Sequence, residues 1–106
     1  MEVSKKDWKL YREKIGGWQE TYIEKLVAQY VDYLNSDVPA STKFWEMEKR
    51  IKRDKKHPGV LIELDKHDMP FDLVRLINLG VITRADLEEF SDELKETVDF
   101  LKDRLG

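Results

Sequence analysis

Apolar residues recur at helical spacing from the first residues of the chain. In residues 4–15 they stand three and four positions apart, as Trp8, Tyr11 and Ile15. Ser4 is a suitable N-cap, and Asp7 follows three residues later as the partner of a capping box. The pair Gly16-Gly17 predicts the end of this helix, because glycine accepts the left-handed conformation that closes one.

Residues 18–35 carry a broader apolar arc than a surface helix needs. One row is Trp18, Tyr22, Leu26 and Tyr30, and the adjacent row is Ile23, Val27, Val31 and Leu34. This width predicts a second helix at the centre of the fold. The polar residues and Pro39 that follow predict a loop.

The pattern predicts a third helix over residues 42–56, capped by Ser41 or Thr42. Its predicted inward stripe is Phe44, Met47 and Ile51. Most of its other positions are charged. Residues 60–66 fit either a strand or a short helix, and we favour a helix because no other segment offers a strand partner.

Two more helices are predicted, over residues 70–79 and 84–104. Gly80 is the expected stop of the first. Thr83 and Asp86 stand at the N-cap and at the acidic position of a capping box for the second. The predicted apolar seam of the last helix is Leu87, Phe90, Leu94, Val98, Leu101 and Leu105. These elements predict an all-α fold in which residues 1–106 form one small domain, an irregular orthogonal bundle of about five helices.

Composition narrows the functional classes. The chain has 106 residues, 39% of them charged, and no Cys, so disulfides, Cys-based zinc sites and a thiol nucleophile are excluded. Neither a signal-peptide core nor a membrane-spanning apolar run occurs, which favours the cytoplasm and no membrane partner. Charge is uneven, because residues 43–57 sum to +4 and residues 83–106 to −4.

Groups suited to catalysis are sparse. His57 precedes Pro58, and His67 lies in a polar connector with Asp65 and Asp68, a spacing that matches no helical pair of metal ligands. We therefore predict surface positions for both histidines, no enzyme activity, no metal site and no cofactor.

Two overlapping surfaces are candidates for partner binding. Tyr33 and Trp45 lie off the main apolar stripes, and with Arg50 they are the residue types that dominate protein interfaces. The basic residues of the third helix could instead meet phosphates, or could pair with the acidic last helix. The candidate residues are Tyr33, Trp45, Lys49, Arg50, Lys52, Arg53 and Lys56.

The leading hypothesis is thus a small non-catalytic protein-interaction module, an adaptor or regulator that binds a protein partner or itself. Nucleic-acid binding through residues 43–57 is the second hypothesis. The third is an acidic decoy of a basic partner, for which the expected residues are Glu89, Asp92, Glu93 and Glu96. In addition, residues 76–90 resemble the short helical hairpin found at the C-termini of many bacterial proteins, and that resemblance implies oligomerisation or an adaptor role.

Overall fold

Helices make up most of the chain. The structure, a computed structural model, describes residues 2–105. In these residues the α-helices are α1 (Lys5–Leu34), α2 (Ala40–Asp54), α3 (Met69–Asn78) and α4 (Asp92–Leu105), and a 3-10 turn spans Arg84–Leu87. No strand occurs between residues 2 and 105, so the all-α prediction is confirmed.

The chain divides into two compact units. The first includes the residues up to Trp18 and those from Glu63 onward, and the second is Gln19–Ile62. The long helix α1 contributes residues to both.

The first unit has a dense apolar core. Its least exposed side chains come from α1, α3, the 3-10 turn and α4: Tyr11, Met69, Leu73, Val74, Leu76, Leu87, Leu94 and Val98. Helices α3 and α4 pack against each other. Gly80 follows α3 with a φ of 76°, which only glycine adopts without strain, so the predicted stop is confirmed.

A buried carboxylate ties the start of α1 to the start of α4. Asp7 is 2% exposed, and it accepts hydrogen bonds from the Ser91 N–H at 3.0 Å and the Ser91 hydroxyl at 2.5 Å. Ser4 caps α1 as predicted, because its hydroxyl oxygen accepts from the Asp7 N–H at 3.1 Å. The side chain of Asp7, however, bonds Ser91 and does not complete a capping box.

The prediction that α1 ends at Gly16-Gly17 was wrong. The helix continues through both glycines to Leu34. Tyr11 and Trp18, on either side of the pair, have ring centroids 6.4 Å apart, and Trp18 lies 6.4 Å from Phe90. These contacts outweigh the cost of about 1 kcal/mol that each glycine brings to a helix interior.

The predicted last helix is interrupted. The 3-10 turn ends at Leu87, and α4 begins only at Asp92. Thr83 and Asp86 form the predicted cap, with the Thr83 N–H donating to the Asp86 carboxylate at 2.7 Å. Ser91 then caps α4, because its hydroxyl oxygen accepts from the Leu94 N–H at 3.2 Å. The break places Phe90, 3% exposed, in the core.

Residues 60–66 form neither the favoured helix nor a strand. The N–H groups of Val60 and Leu61 both donate to the His57 carbonyl, at 2.9 and 3.0 Å. These two bonds close a turn that contains Pro58 and Gly59. The chain then runs without regular structure to residue 65.

The second unit is a helical hairpin, and the prediction of which residues form its core was wrong. Helix α2 begins at Ala40, and Pro39 is its N-cap, so neither Ser41 nor Thr42 caps it. No residue of α2 is buried. Phe44 and Ile51, predicted to point inward, are 67% and 45% exposed.

The other half of the hairpin also exposes its apolar residues. Of the two predicted rows on α1, Leu26 is buried, whereas Val27, Val31 and Leu34 are 43–49% exposed. Residues 18–35 were expected to form a helix at the centre of the fold. Within this unit, most of their side chains are exposed or half-buried.

Candidate interaction surfaces

Long aromatic side chains hold the two helices of the hairpin together. The Tyr33 hydroxyl donates to the Thr42 carbonyl at 3.4 Å, and the Arg50 guanidinium lies 4.1 Å from the centre of the Tyr33 ring. The Tyr30 hydroxyl donates to the Asp54 carboxylate, farther from the loop. The helices therefore run antiparallel, joined by residues 35–39.

The carboxylate of Asp54 is the polar centre of this contact. Arg53 also donates to it, with Nε 3.0 Å from Oδ1. Burial alone would raise the pKa of Asp54, but the hydrogen bonds from Arg53 and Tyr30 bring that pKa below its ordinary value. Burial, together with the hydrogen bond to Asp54, raises the pKa of Tyr30 to about 12. Both groups therefore keep their charge states, ionised Asp54 and neutral Tyr30, near neutral pH.

The turn after α2 is fixed against α1 by stacking. His57 stacks on Tyr22 with ring centroids 4.6 Å apart and an angle of 9° between the planes. Its Nδ1 accepts from the Gly59 N–H at 3.0 Å. Gln19 Nε2 donates to the Pro58 carbonyl at 3.1 Å. Its Nε2 lies 3.3 Å from the Tyr22 hydroxyl oxygen. His57 is thus half-buried with both ring nitrogens engaged, in a structural position.

One side of the hairpin carries a set of apolar side chains, which we call the apolar face. Ile23 of α1 and Ile51 of α2 line one groove there. At about 100° per residue, Val27, Val31 and Leu34 lie within about 80° of Ile23, and Phe44 and Met47 lie within about 40° of Ile51. The groove, at one end of the apolar face, is shallow, with a volume of about 160 Å³, and is lined by residues that include Ile23, Leu26, Ile51 and Val60. The prediction that the residues of the apolar face lie in the core was wrong, because helical periodicity identifies an apolar row but not what covers it.

A second surface, the basic stripe, follows the outward side of α2. At about 100° per residue, Trp45, Lys49 and Lys52 lie within about 60° of one another around the helix. Lys56 follows in the turn that extends it. Trp45 is 60% exposed, with its ring edge-on to Phe44 at 5.0 Å.

Two cations of the basic stripe lack an acidic partner. Lys52 pairs with Glu48 at 3.7 Å, and Arg53, at the edge of the stripe, pairs with Asp54. Between residues 2 and 105, no ion pair involves Lys49 or Lys56. These two lysines are therefore available to an external anion.

The seven residues proposed for partner binding fall into two groups. Tyr33 and Arg50 come together between the helices, where Arg50 also lies 3.6 Å from Glu46. Trp45 lies about 140° around α2 from Arg50. Trp45 therefore belongs with the second group, which lies on the basic stripe, and not with Tyr33.

The first unit offers an apolar groove and an acidic surface. The groove, of about 430 Å³, lies between α3 and α4 and is lined by His67, Pro70, Phe71, Thr97, Phe100 and Leu101. Of the acids proposed for a decoy, Glu89 pairs with Lys14 at 3.2 Å and Asp92 with Lys95 at 3.3 Å. Glu93 and Glu96 are exposed.

The described part of the chain contains no cluster of three His, Asp or Glu side chains placed to hold a metal ion. His67 and Asp65 do border one surface depression, with Glu2, Val3 and Lys66. The Asp65 carboxylate accepts from the N–H groups of His67 and Asp68, at 2.8 and 3.3 Å, which accounts for its place in the loop.

Comparisons with known proteins give no relative. No family model, no curated protein and no solved structure matches the chain. Among the described helices, none has the length and apolar content needed to cross a bilayer.

Proposed function

We propose that this chain is a non-catalytic protein-interaction module, an adaptor or regulator, that binds a protein partner through the apolar face. The observation that carries the proposal is the exposure of Phe44, Ile51, Val27 and Val31 on one side of the hairpin. Monomeric soluble proteins rarely expose contiguous apolar patches larger than a few hundred Å², and larger ones mark interaction sites.

The polar contacts of the hairpin also support this role. Tyr30, Tyr33 and Tyr22 hold α2 and its following turn without help from Phe44 or Ile51. The apolar face is thus presented on a hairpin whose polar contacts do not involve Phe44 or Ile51. Such preorganisation lowers the entropic cost of binding.

Paired variants test the proposal. Phe44→Glu places a charge on the apolar face, whereas Lys49→Glu changes the basic stripe one turn away. We expect affinity capture from the native host, followed by mass spectrometry, to recover a partner with the wild type and Lys49→Glu but not with Phe44→Glu. Binding of the identified partner is then measured by calorimetry with purified proteins. Equal binding by Phe44→Glu would refute the assignment.

The basic stripe supports a second candidate function, polyanion binding. An exposed Trp45 beside the unpaired Lys49 and Lys56 matches the combination of aromatic stacking and cations that binds single-stranded nucleic acid. Quenching of tryptophan fluorescence by an oligonucleotide should then fall steeply with salt and disappear in Lys49→Glu/Lys56→Glu. Val31→Glu, on the apolar face of α1, is the matched control and should retain it. Salt-independent quenching would exclude this function.

A further inference from the structure

We propose that the partner on the apolar face is a second copy of this chain, so that two hairpins pair into a four-helix bundle. The inference rests on the proposed function and names its partner. The two-fold axis runs parallel to the helices, and α2 of each subunit packs along α1 of the other.

The amount of exposed apolar surface fits such a pairing. Val27, Val31, Leu34, Phe44 and Ile51 are each 43–67% exposed. Together they expose several hundred Å² of apolar surface, against roughly 800 Å² that each partner buries in a standard interface. In the proposed dimer, burial of the flanking polar residues supplies the rest of the interface area.

The spacing along both helices also fits a bundle. Phe44, Met47 and Ile51 recur along α2 at i, i+3 and i+7, and Val27, Val31 and Leu34 recur along α1 at i, i+4 and i+7. This is the alternation of three and four residues that packs facing helices in four-helix bundles. One hairpin provides only two helices, and in this unit Leu26 is the one large apolar side chain that is buried among the described residues.

Charge decides the orientation of the pair. The apolar row of α1 continues into Glu20 and Glu24, and that of α2 continues into Lys55. Both charged ends lie away from the loop, because Lys55 and Ile23 line the same groove and His57 stacks on Tyr22. With the axis parallel to the helices, Lys55 faces Glu20 and Glu24 of the partner subunit.

A two-fold axis perpendicular to the helices would lose this charge complementarity. If α1 packed antiparallel on α1 of the partner subunit, Glu20 and Glu24 would face the loop end of that helix. Opposite charges across an interface favour one register over others, so the parallel axis is preferred.

A first test measures mass against concentration by sedimentation equilibrium. The wild type should form a dimer, and Ile51→Glu should raise the dissociation constant at least about tenfold. Lys49→Glu, on the basic stripe, should dimerise like the wild type. Circular dichroism of each variant checks that helix content is kept. A dimer that persists unchanged in folded Ile51→Glu would overturn the proposal.

A charge exchange tests the orientation without touching the apolar residues. One chain carries Lys55→Glu, and the other carries Glu20→Lys and Glu24→Lys. Each alone should dimerise at least about tenfold more weakly, because like charges meet at both edges, and an equimolar mixture should form heterodimers. Equally stable homodimers of both chains would overturn the proposed orientation.

The outcomes separate this inference from the proposed function. A wild type that stays monomeric while Phe44→Glu still abolishes capture of another protein refutes self-pairing and leaves the interaction module standing. Dimerisation that is lost in Ile51→Glu supports both. Monomeric behaviour with no Phe44-dependent partner refutes both.

Discussion

The two units of this chain use apolar side chains in opposite ways. In the first unit Leu73 and Leu94 are fully buried, whereas in the hairpin Val31 and Phe44 are 49% and 67% exposed. Both sets have the same helical spacing in the sequence. The difference shows that periodicity specifies a face of a helix, and that the number of neighbouring elements decides whether the face is covered.

The two units also differ in what holds them. Four segments, from α1, α3, the 3-10 turn and α4, converge on the core of the first unit, and the hydrophobic effect stabilises it. In the hairpin, hydrogen bonds and stacking by tyrosines connect the helices. We therefore expect folding free energy to be concentrated in the first unit and binding to be concentrated in the hairpin.

The largest expected effect comes from the core of the first unit. Leu73→Ala should lower the free energy of unfolding by about 2–5 kcal/mol, because it leaves a cavity among fully buried side chains. Phe44→Ala, at a concentration where the chain is monomeric, should change it by about 0.5 kcal/mol or less. Urea unfolding followed by circular dichroism measures both. Comparable losses in the two variants would contradict the contrast between the units.

Removal of the buried carboxylate should have the next largest effect. Asp7→Ala leaves the Ser91 N–H without an acceptor at the start of α4, at a cost of about 1–3 kcal/mol. Ser4→Ala removes only the exposed cap of α1 and should cost about 1 kcal/mol or less. Denaturant unfolding compares them. A loss in Asp7→Ala no larger than in Ser4→Ala would show that the bond to Ser91 contributes little.

Gly59 of the hairpin and Gly16 of the first unit provide a matched pair of glycine substitutions. A Cβ on Gly59 would lie 2.5 Å from Cδ2 of Tyr22, whereas one on Gly16 would meet no atom within 4 Å. Gly59→Ala should therefore destabilise the hairpin by about 1–3 kcal/mol, through a shift of the stacked turn. Gly16→Ala should stabilise the chain by about 1 kcal/mol.

Amide hydrogen exchange measured by NMR locates these effects. Gly59→Ala should speed exchange in α2 and leave α3 and α4 protected. Faster exchange throughout the chain would mean that the hairpin and the first unit unfold together.

Local chemistry made part of this fold predictable from sequence. Gly80, Thr83 and Asp86 act as predicted because capping depends on neighbours in the chain. The all-α class followed from the same periodicity. Tyr33 and Arg50 were proposed together on residue type, and the structure brings them into contact.

The features that the sequence did not predict depend on long-range contacts, which no local pattern encodes. Gly16-Gly17 stays helical because Trp18 packs on Phe90, 72 positions away. Asp7 was assigned to a local cap because its partner, Ser91, lies near the other end of the chain. The exposure of Phe44 and Ile51 reflects a missing third helix at the hairpin, which their own spacing could not indicate.

The smallest expected effect concerns pH and a surface ion pair of the first unit. Arg84 Nε lies 2.7 Å from Asp99 Oδ1, and the hydrogen bonds from Arg84 hold the pKa of Asp99 below its ordinary value. Stability from this pair is therefore present above about pH 4 and is lost as the pH falls through the lowered pKa. Because both groups are solvent-exposed, the loss should be a few tenths of a kcal/mol.

Asp72 gives the opposite slope and thus a control. Burial raises the pKa of Asp72, so the folded state gains stability as the pH falls through that raised value. In urea titrations from pH 7 to pH 3, Asp99→Asn should reduce the loss of stability on acidification, and Asp72→Asn should increase it. Identical slopes in the two variants would show that neither carboxylate contributes to the pH dependence of folding.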